Sequence, residues 1–431
     1  MKTLHSVTRC QSDYDPDAMP VSAAQAVIRN LATPVAAVEK VTLRAALNRV
    51  LAHDLLAPIN VPGADNSAMD GYAFDGAALS DGAPLTLQLV GTSFAGRGYT
   101  GTVPPGACVR IMTGALIPAA CDTVIAQEQV EVAGTAASPQ INFIAGKLPR
   151  GANVRRAGED LAAGAVALGK GRIIQACDLG LLASLGFAEV PVKRRLRVAF
   201  FSTGDELRSI GETLDPGCVY DSNRYTMYGM LHRLGVEIID LGVVPDQAAA
   251  LEATLRTASA CADAVITSGG VSVGDADHTR ELMARLGEVV FWKVAMRPGR
   301  PFAFGQLTTA NGSSGALFFG LPGNPVAVMV SFYLFVREAL LAMAGATPQP
   351  TPMIQARALA ALRKQPGRTE IVRAVAHRKP DGNWQVVATG AQGSGVLSSM
   401  SQANCFIVLA HGQSDVAAGD PVDVMLFDGL I

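Results

Sequence analysis

Arg197-Val198-Ala199-Phe200-Phe201-Ser202-Thr203-Gly204-Asp205-Glu206 reads as a short apolar strand that runs directly into a loop of small and acidic residues. The pattern recurs downstream. The run 241–244 leads into Pro245 and Asp246. The run 264–267 leads into Ser268-Gly269-Gly270-Val271-Ser272-Val273-Gly274-Asp275-Ala276-Asp277, and 316–319 into Gly320-Leu321-Pro322-Gly323-Asn324-Pro325. Helical patterns at 225–234 and 248–261 separate most of these runs. Strands alternating with helices predict a doubly wound, mainly parallel α/β sheet over 193–345. Ligands of open α/β sheets bind outside the carboxyl ends of the strands, so these loops are the candidate site.

Small residues with free backbone N–H groups, followed by a helix, make an anion cradle. The last loop suits this best, with Asn324 able to cap and Pro325 in the first helical turn. The same glycines also serve tight βα turns that bind nothing. Carboxylates repel phosphate, so Glu206, Asp246, Asp275 and Asp277 need a separate reason. A divalent cation bridging to phosphate is one, and oxygen-only ligands without clustered His or Cys favour Mg²⁺ over zinc. Helix N-capping is the other, favoured for Asp205 and Asp275, whereas metal or acid–base work is favoured for Glu206 and Asp277. In 292–301, Lys293, Arg297 and Arg300 come from an apolar context beside these loops. Three such cations can clamp phosphates or an oxyanion. A hairpin edge that uses charge against aggregation accounts for one of them more readily than for three.

Outward from this domain the character changes. Residues 1–20 are polar and aperiodic and read as a loose tail. Helices are predicted over 22–31 and 43–51, flanking an extended piece at 35–38. The stretch 60–190 is dense in Gly and Pro, with β-rich runs at 85–90, 107–111, 123–126 and 165–167, and reads as mostly β. Within it, 65–73 gathers Asp65, Asn66, Ser67 and Asp70, either a polar site or an elaborate turn; composition alone favours the turn. Residues 110–114 are a strand ending in Thr113 and Gly114. A proline-rich linker at 346–352 precedes alternating strands such as 385–388 and 406–409, with no helix, which predict a small β-barrel. The apolar stretch from Val326 meets Arg337 and Glu338 after eleven residues. That is too short for a bilayer and reads as a buried helix.

The totals set bounds. At 431 residues about three domains are expected. With 49% apolar and 17% charged residues, large cores are affordable and wholesale disorder is excluded. A net charge of −2 gives no electrostatic reason to expect nucleic acid or an anionic membrane as partner. Seven cysteines, an odd number without C-x-x-C, fit scattered reduced thiols. The N-terminus lacks an apolar core for a signal peptide, so a cytoplasmic location is expected. No G-x-G-x-x-G opens the α/β domain, which argues against a nicotinamide oxidoreductase.

Six strings, DNSAMDGYA (65–73), RIMTGA (110–115), STGDEL (202–207), SGGVSVGDAD (268–277), RPGRPFAFG (297–305) and GLPGNPV (320–326), together resemble the MoeA family, which includes the gephyrin E domain. The similarity is collinear over 21–431. It implies a multi-domain α/β plus β chain. A discontinuous helical/β N-terminal domain is expected from 21–60 and 153–192, with a β-rich domain inserted at 61–152. A doubly wound molybdopterin-binding α/β domain would span 193–345, and a C-terminal β-barrel 346–431. The implied activity is that of a molybdopterin molybdenumtransferase: adenylyl-molybdopterin and molybdate give molybdenum cofactor and AMP, with Mg²⁺. The resemblance carries over Asp70, Thr113, Glu206, Asp277 and Lys293 as catalytic residues, with Glu206 and Asp277 holding the metal. Substrate would be bound by Asp246, Ser268, Gly269, Gly270, Arg297, Arg300, Gly320, Pro322, Gly323, Asn324, Arg368 and Ser394. It further implies a homodimer in which the Asp70 loop faces the partner's α/β domain. An upstream pterin adenylyltransferase and molybdoenzyme maturation proteins are the implied protein partners. Arg297 and Arg300 stand where the family often has Lys, a change that keeps an anion-binding role but not a proton-transfer role. The upstream adenylyltransferase needs only the α/β domain, so the 61–152 segment with Asp70 argues against that activity here. A scaffold with a decayed site predicts losses at Asp70, Glu206 and Asp277, and all three are present.

Overall fold

The computed structural model describes residues 19–79, 83–144, 146, 148–270, 276–309 and 314–427, and of 276–280 and 314 the backbone alone. Its centre is a six-stranded sheet in the order Glu237–Val244, Arg197–Thr203, Ala264–Ser268, Ser314–Leu321, Pro301–Thr308, Gly287–Lys293. The first four strands are parallel, and the last two close an antiparallel edge. Strand side chains alternate between faces, and both faces here are apolar. Val198, Phe200, Ile266 and Phe319 enter one core, and Ala199, Phe201, Val265 and Phe318 the other. Helix Ser222–Arg233 covers the first face through Met227, Met230 and Leu231; helix Ala248–Cys261 covers the second through Leu251, Leu255 and Ala258. The chain thus leaves strand Arg197–Thr203 on one face and reaches Ala264–Ser268 from the other. The crevice of a doubly wound sheet opens between two such strands.

The apolar stretch after Asn324 is one continuous helical run, Pro325–Met343, which passes Arg337 and Glu338 through a π turn at Phe332–Val336. It is 19 residues long, and 67% of its most apolar window is buried against the first core. By length and composition it passes as a membrane span; its burial makes it the core helix that the sequence predicts. Helix Val21–Leu31 lies on it, with Ala24, Val27 and Ile28 buried at helical spacing and Gln25 Nε2 donating to the Leu334 carbonyl (2.9 Å). This helix therefore belongs energetically to the α/β core. Met19, expected in the loose tail, is also tied in: its N–H donates to the Lys293 carbonyl at 2.9 Å.

The discontinuous N-terminal domain forms because Val38–Thr42 pairs antiparallel with Glu189–Lys193. Its core draws Ala46, Leu51 and Leu55 from one segment and Leu168, Ile174, Leu182, Val190 and Val192 from the other. The helix expected at 43–51 is only a 3₁₀ turn, Leu43–Ala46. Asn48 turns left-handed (φ 61), and Val50 and Leu51 then bridge to Ile173 and Val192. Cross-chain pairing overrides the local helical spacing. A helix at Ala176–Ser184, opened by a Gln175/Asp178 capping box, lies in the stretch read as mostly β.

The inserted domain is a six-stranded sheet ordered Thr123–Ala126, Gly71–Phe74, Ala107–Ile111, Pro84–Ser93, Ser138–Ile144, Glu131–Thr135. At the C-terminus, Thr369–Arg378, Trp384–Ala388, Ile354–Ala358, Pro421–Leu426 and Cys405–Leu409 close into a five-stranded barrel. A short helix, Leu397–Gln402, is present where none is expected from sequence. Strand Met296–Arg297 of the α/β domain pairs with Thr369 and Glu370, which fixes the barrel to the sheet edge by backbone hydrogen bonds.

Candidate active site

The cleft lies at the switch point. Strands Arg197–Thr203 and Ala264–Ser268 end side by side, and the chain after Ser268 crosses directly over Thr203. Gly269 has φ +94, and a Cβ there would sit 2.3 Å from the Thr203 carbonyl oxygen, so only glycine fits. The resulting cavity of about 480 Å³ is lined by Glu206, Asp246, Gly269, Gly270, Pro322, Gly323 and Asn324 among the residues expected from sequence. Ser268 lies just beneath, buried, with its hydroxyl 2.8 Å from Asn223 Nδ2.

Asp221 and Asn223 are among the lining residues that escape the sequence reading. Asp221 caps helix Ser222–Arg233, its Oδ1 accepting from the Arg224 N–H at 3.1 Å. Asn223 Nδ2 also donates to the Gly323 carbonyl (2.7 Å), so it ties the loops after two strands together. The periodicity at 225–234 starts one turn too late to include them. The Asp-Ser-Asn triplet before it is the kind of N-cap signature that places a helix start.

The electrostatics differ from a simple anion cradle. Glu206, Asp221 and Asp246 line the cleft, and among the described residues no Lys or Arg does. One helix N-terminal donor is also already used, since Val326 N–H donates to the Ser394 carbonyl (3.0 Å). An oxygen-only, acid-lined cleft suits Mg²⁺, which binds through one or two carboxylates and completes its shell with phosphate oxygens and water. Among the described residues no three His, Cys, Asp or Glu side chains form a ready-made metal cage. Asp277 lies in the first turn of helix Ala276–Leu286; its side chain is outside the described residues.

Arg297 and Arg368 lie at the seam with the barrel, and Lys293 and Arg300 flank it in sequence. Lys293 ends strand Gly287–Lys293, and Arg297 sits in the short strand opposite Glu370. Arg297 and Arg300 are exposed, and Pro301, next to Arg300, lines the cleft. Arg368 Nε donates to Glu370 Oε1 at 2.8 Å. Barrel pairing therefore sets Arg297 opposite Glu370, the carboxylate that Arg368 binds, and the Ser394 carbonyl accepts from Val326 on the rim that holds Asn324. Gly320 does not join the cleft. Strand Ser314–Leu321 runs two residues past the predicted end, and Gly320 is buried in it between Thr267 and Ala303.

Asp70 and Thr113 meet each other in the inserted domain and do not line this cleft. The Thr113 N–H and hydroxyl both donate to Asp70 Oδ1, each at 2.7 Å. Those two bonds, the N–H foremost, hold the carboxyl below the usual carboxylate range.

Three family descriptions account for almost all of this architecture. The MoeA N-terminal region (domain I and II) matches 19–186, the "Probable molybdopterin binding domain" 199–342, and the MoeA C-terminal region (domain IV) 355–427. The chain is thus of the class of multidomain enzymes built round a molybdopterin-binding α/β domain. It is 43% identical to a molybdopterin molybdenumtransferase of Haemophilus influenzae over 91% of this chain and 95% of that one. Against the molybdopterin molybdenumtransferase of a Nostoc species it is 35% identical, covering 90% and 88%. The crystal structure of the molybdopterin biosynthesis moeA protein from Pyrococcus horikoshii OT3 superposes with a TM-score of 0.82 at 28% identity, covering 95% of this chain and 100% of that one. The chain belongs to the MoeA family of molybdopterin molybdenumtransferases.

Proposed function

We propose that this chain inserts molybdenum from molybdate into adenylyl-molybdopterin, releasing AMP and forming molybdenum cofactor. The observation that carries the reading is the pairing of an acid-lined cleft at the switch point with arginines on the adjoining barrel seam. The glycines at 269, 270 and 323 let a phosphate ester approach the backbone closely. Glu206 and Asp277 would hold Mg²⁺, which supplies charge neutralisation and Lewis-acid polarisation of the phosphate anhydride. Lys293, Arg297, Arg300 and Arg368, with Ser394, hold the molybdate oxyanion; planar guanidinium groups match its oxygens in pairs. Asp70, kept ionised by Thr113, orients an attacking oxygen or accepts its proton.

Because Asp70 and Thr113 do not line the cleft of their own chain, they serve the α/β domain of a second copy in a homodimer. The enzyme works in the cytoplasm, receives its pterin nucleotide from an adenylyltransferase and passes its product to molybdoenzyme maturation. Purified protein mixed with adenylyl-molybdopterin, molybdate and Mg²⁺ should release AMP in an amount matching the molybdenum incorporated. AMP release that is absent, or indifferent to molybdate, refutes the reading.

A further inference from the structure

Three side chains that line the cleft are more than nine-tenths buried and each keeps a polar atom without a hydrogen-bond partner among the described residues. They are Thr203 (6% exposed), Asp221 (2%) and Asn223 (7%), through Oγ1, Oδ2 and Oδ1 respectively. Buried polar atoms left unpaired are uncommon because they lose their hydration without compensation. Three at one cleft call for a shared reason.

Their chemistry is restrictive. Asn223 spends its Nδ2 on Ser268 Oγ and the Gly323 carbonyl, so the amide is oriented and Oδ1 remains as an acceptor. Asp221 spends Oδ1 on the helix cap, so Oδ2 remains, also an acceptor. A carboxylate oxygen and an amide oxygen accept only; Thr203 can do either. Phosphate and molybdate bring further acceptors and negative charge and cannot satisfy them. A ligand group that donates hydrogen bonds, through N–H or O–H, satisfies both acceptors. The cleft lining also offers apolar groups, Leu207, Val219, Pro301 and Pro322, on which a flat ring can lie.

We propose that Asp221, Asn223 and Thr203 form a subsite that recognises the N–H-bearing edge of an amino-substituted heterocycle in the substrate. This rests on the reading that the cleft takes adenylyl-molybdopterin, whose pterin and adenine both carry amino groups. The pterin edge pairs a ring N–H with its amino group and offers two adjacent donors.

The test uses the full chain with two probes that lack phosphate and dithiolene, 6-hydroxymethylpterin and adenosine, titrated calorimetrically with and without Mg²⁺. Wild type should bind one of them independently of Mg²⁺, and the probe that binds identifies the ring. Asp221→Asn keeps the shape and the helix cap but replaces the charged acceptor. It should weaken that binding about ten- to a hundred-fold, the effect of losing a charge-assisted hydrogen bond. Thr203→Val, which leaves the cap untouched, should weaken it less and covers the case in which Asp221→Asn fails to fold. Neither probe binding wild type at millimolar concentration, or both folded variants binding like wild type, overturns the proposal. So does an Asp221→Asn effect confined to the Mg²⁺ dependence of turnover. AMP release by wild type, measured in parallel, keeps this apart from the function itself. If wild type releases no AMP while Asp221→Asn loses the probe, the subsite stands and the activity does not.

Discussion

Substituting Gly269 tests whether the crossing of two strand ends creates the cleft. Two penalties combine in Gly269→Ala. The backbone at φ +94 is unfavourable to any L side chain, and the new Cβ would lie 2.3 Å from the Thr203 carbonyl, about 1 Å short of ordinary contact at 3.4 Å. The left-handed conformation costs about 1–2 kcal/mol and an overpacked contact that must move backbone about 1–3 kcal/mol, for a total of roughly 2–5 kcal/mol. Gly270→Ala is the internal control. Its φ is +69, and its nearest obstacle is the Thr203 methyl at 3.0 Å, a side-chain atom that can yield. That variant should lose only about 1–2 kcal/mol. Trp292 packs against Phe302 and Phe304 in the same sheet, so its fluorescence in a Trp384→Phe background reports urea unfolding of this domain rather than of the whole chain. Gly269→Ala should also impair AMP release more than Gly270→Ala. Equal destabilisation of the two variants would refute the account of the crossing.

The seam predicts that Arg297→Lys retains substantial turnover, whereas Arg297→Ala raises the molybdate requirement roughly ten- to a hundred-fold, the loss of one charge-assisted contact. A nucleotide requirement that rises while the molybdate requirement stays fixed would make Arg297 a phosphate ligand instead. Thr113→Val removes the hydroxyl donor to Asp70 and should move the Asp70 carboxyl resonance to titrate at higher pH in NMR, though still below the usual range because the N–H bond remains. Asp70's folded pKa is depressed, so its contribution is complete above the unfolded carboxylate pKa. It is lost as pH falls through the folded value, and the variant should lose it at less acidic pH. An unchanged titration would show that the hydroxyl does not stabilise the carboxylate.

How much of this was legible from sequence follows from the range of the interactions. Apolar runs flanked by turn residues marked the four parallel strands of the central sheet, though not its two antiparallel edge strands, because a strand buried on both faces must be apolar throughout; Val198 to Phe201 are an example. The loops after those strands were legible for the same reason, as was the burial of the helix after Asn324. Local spacing failed where a distant partner decided. Residues 43–51 have helical periodicity, yet Val50 and Leu51 bridge to Ile173 and Val192, and the left-handed Asn48 stops any helix. Helix Val21–Leu31 shows its apolar stripe in sequence but not that the stripe meets Leu334 and its neighbours more than three hundred residues away.

The site divides in the same way. Composition marked Glu206, Asp246, Arg297 and the glycine loops, and the family resemblance assigned roles to Asp70, Thr113, Arg368 and Ser394. Sequence alone did not show that Asp221 and Asn223 face the same cleft, that Gly320 is withdrawn into a strand, or that the Ser394 carbonyl occupies a helix donor. Residue types and periods of two and 3.6 are written locally in the chain, because burial acts on each element through its own side chains. Which loops converge depends on strand order and on the pairing of Met296–Arg297 with Thr369–Glu370, contacts whose free energy exists only once the whole sheet and barrel have assembled.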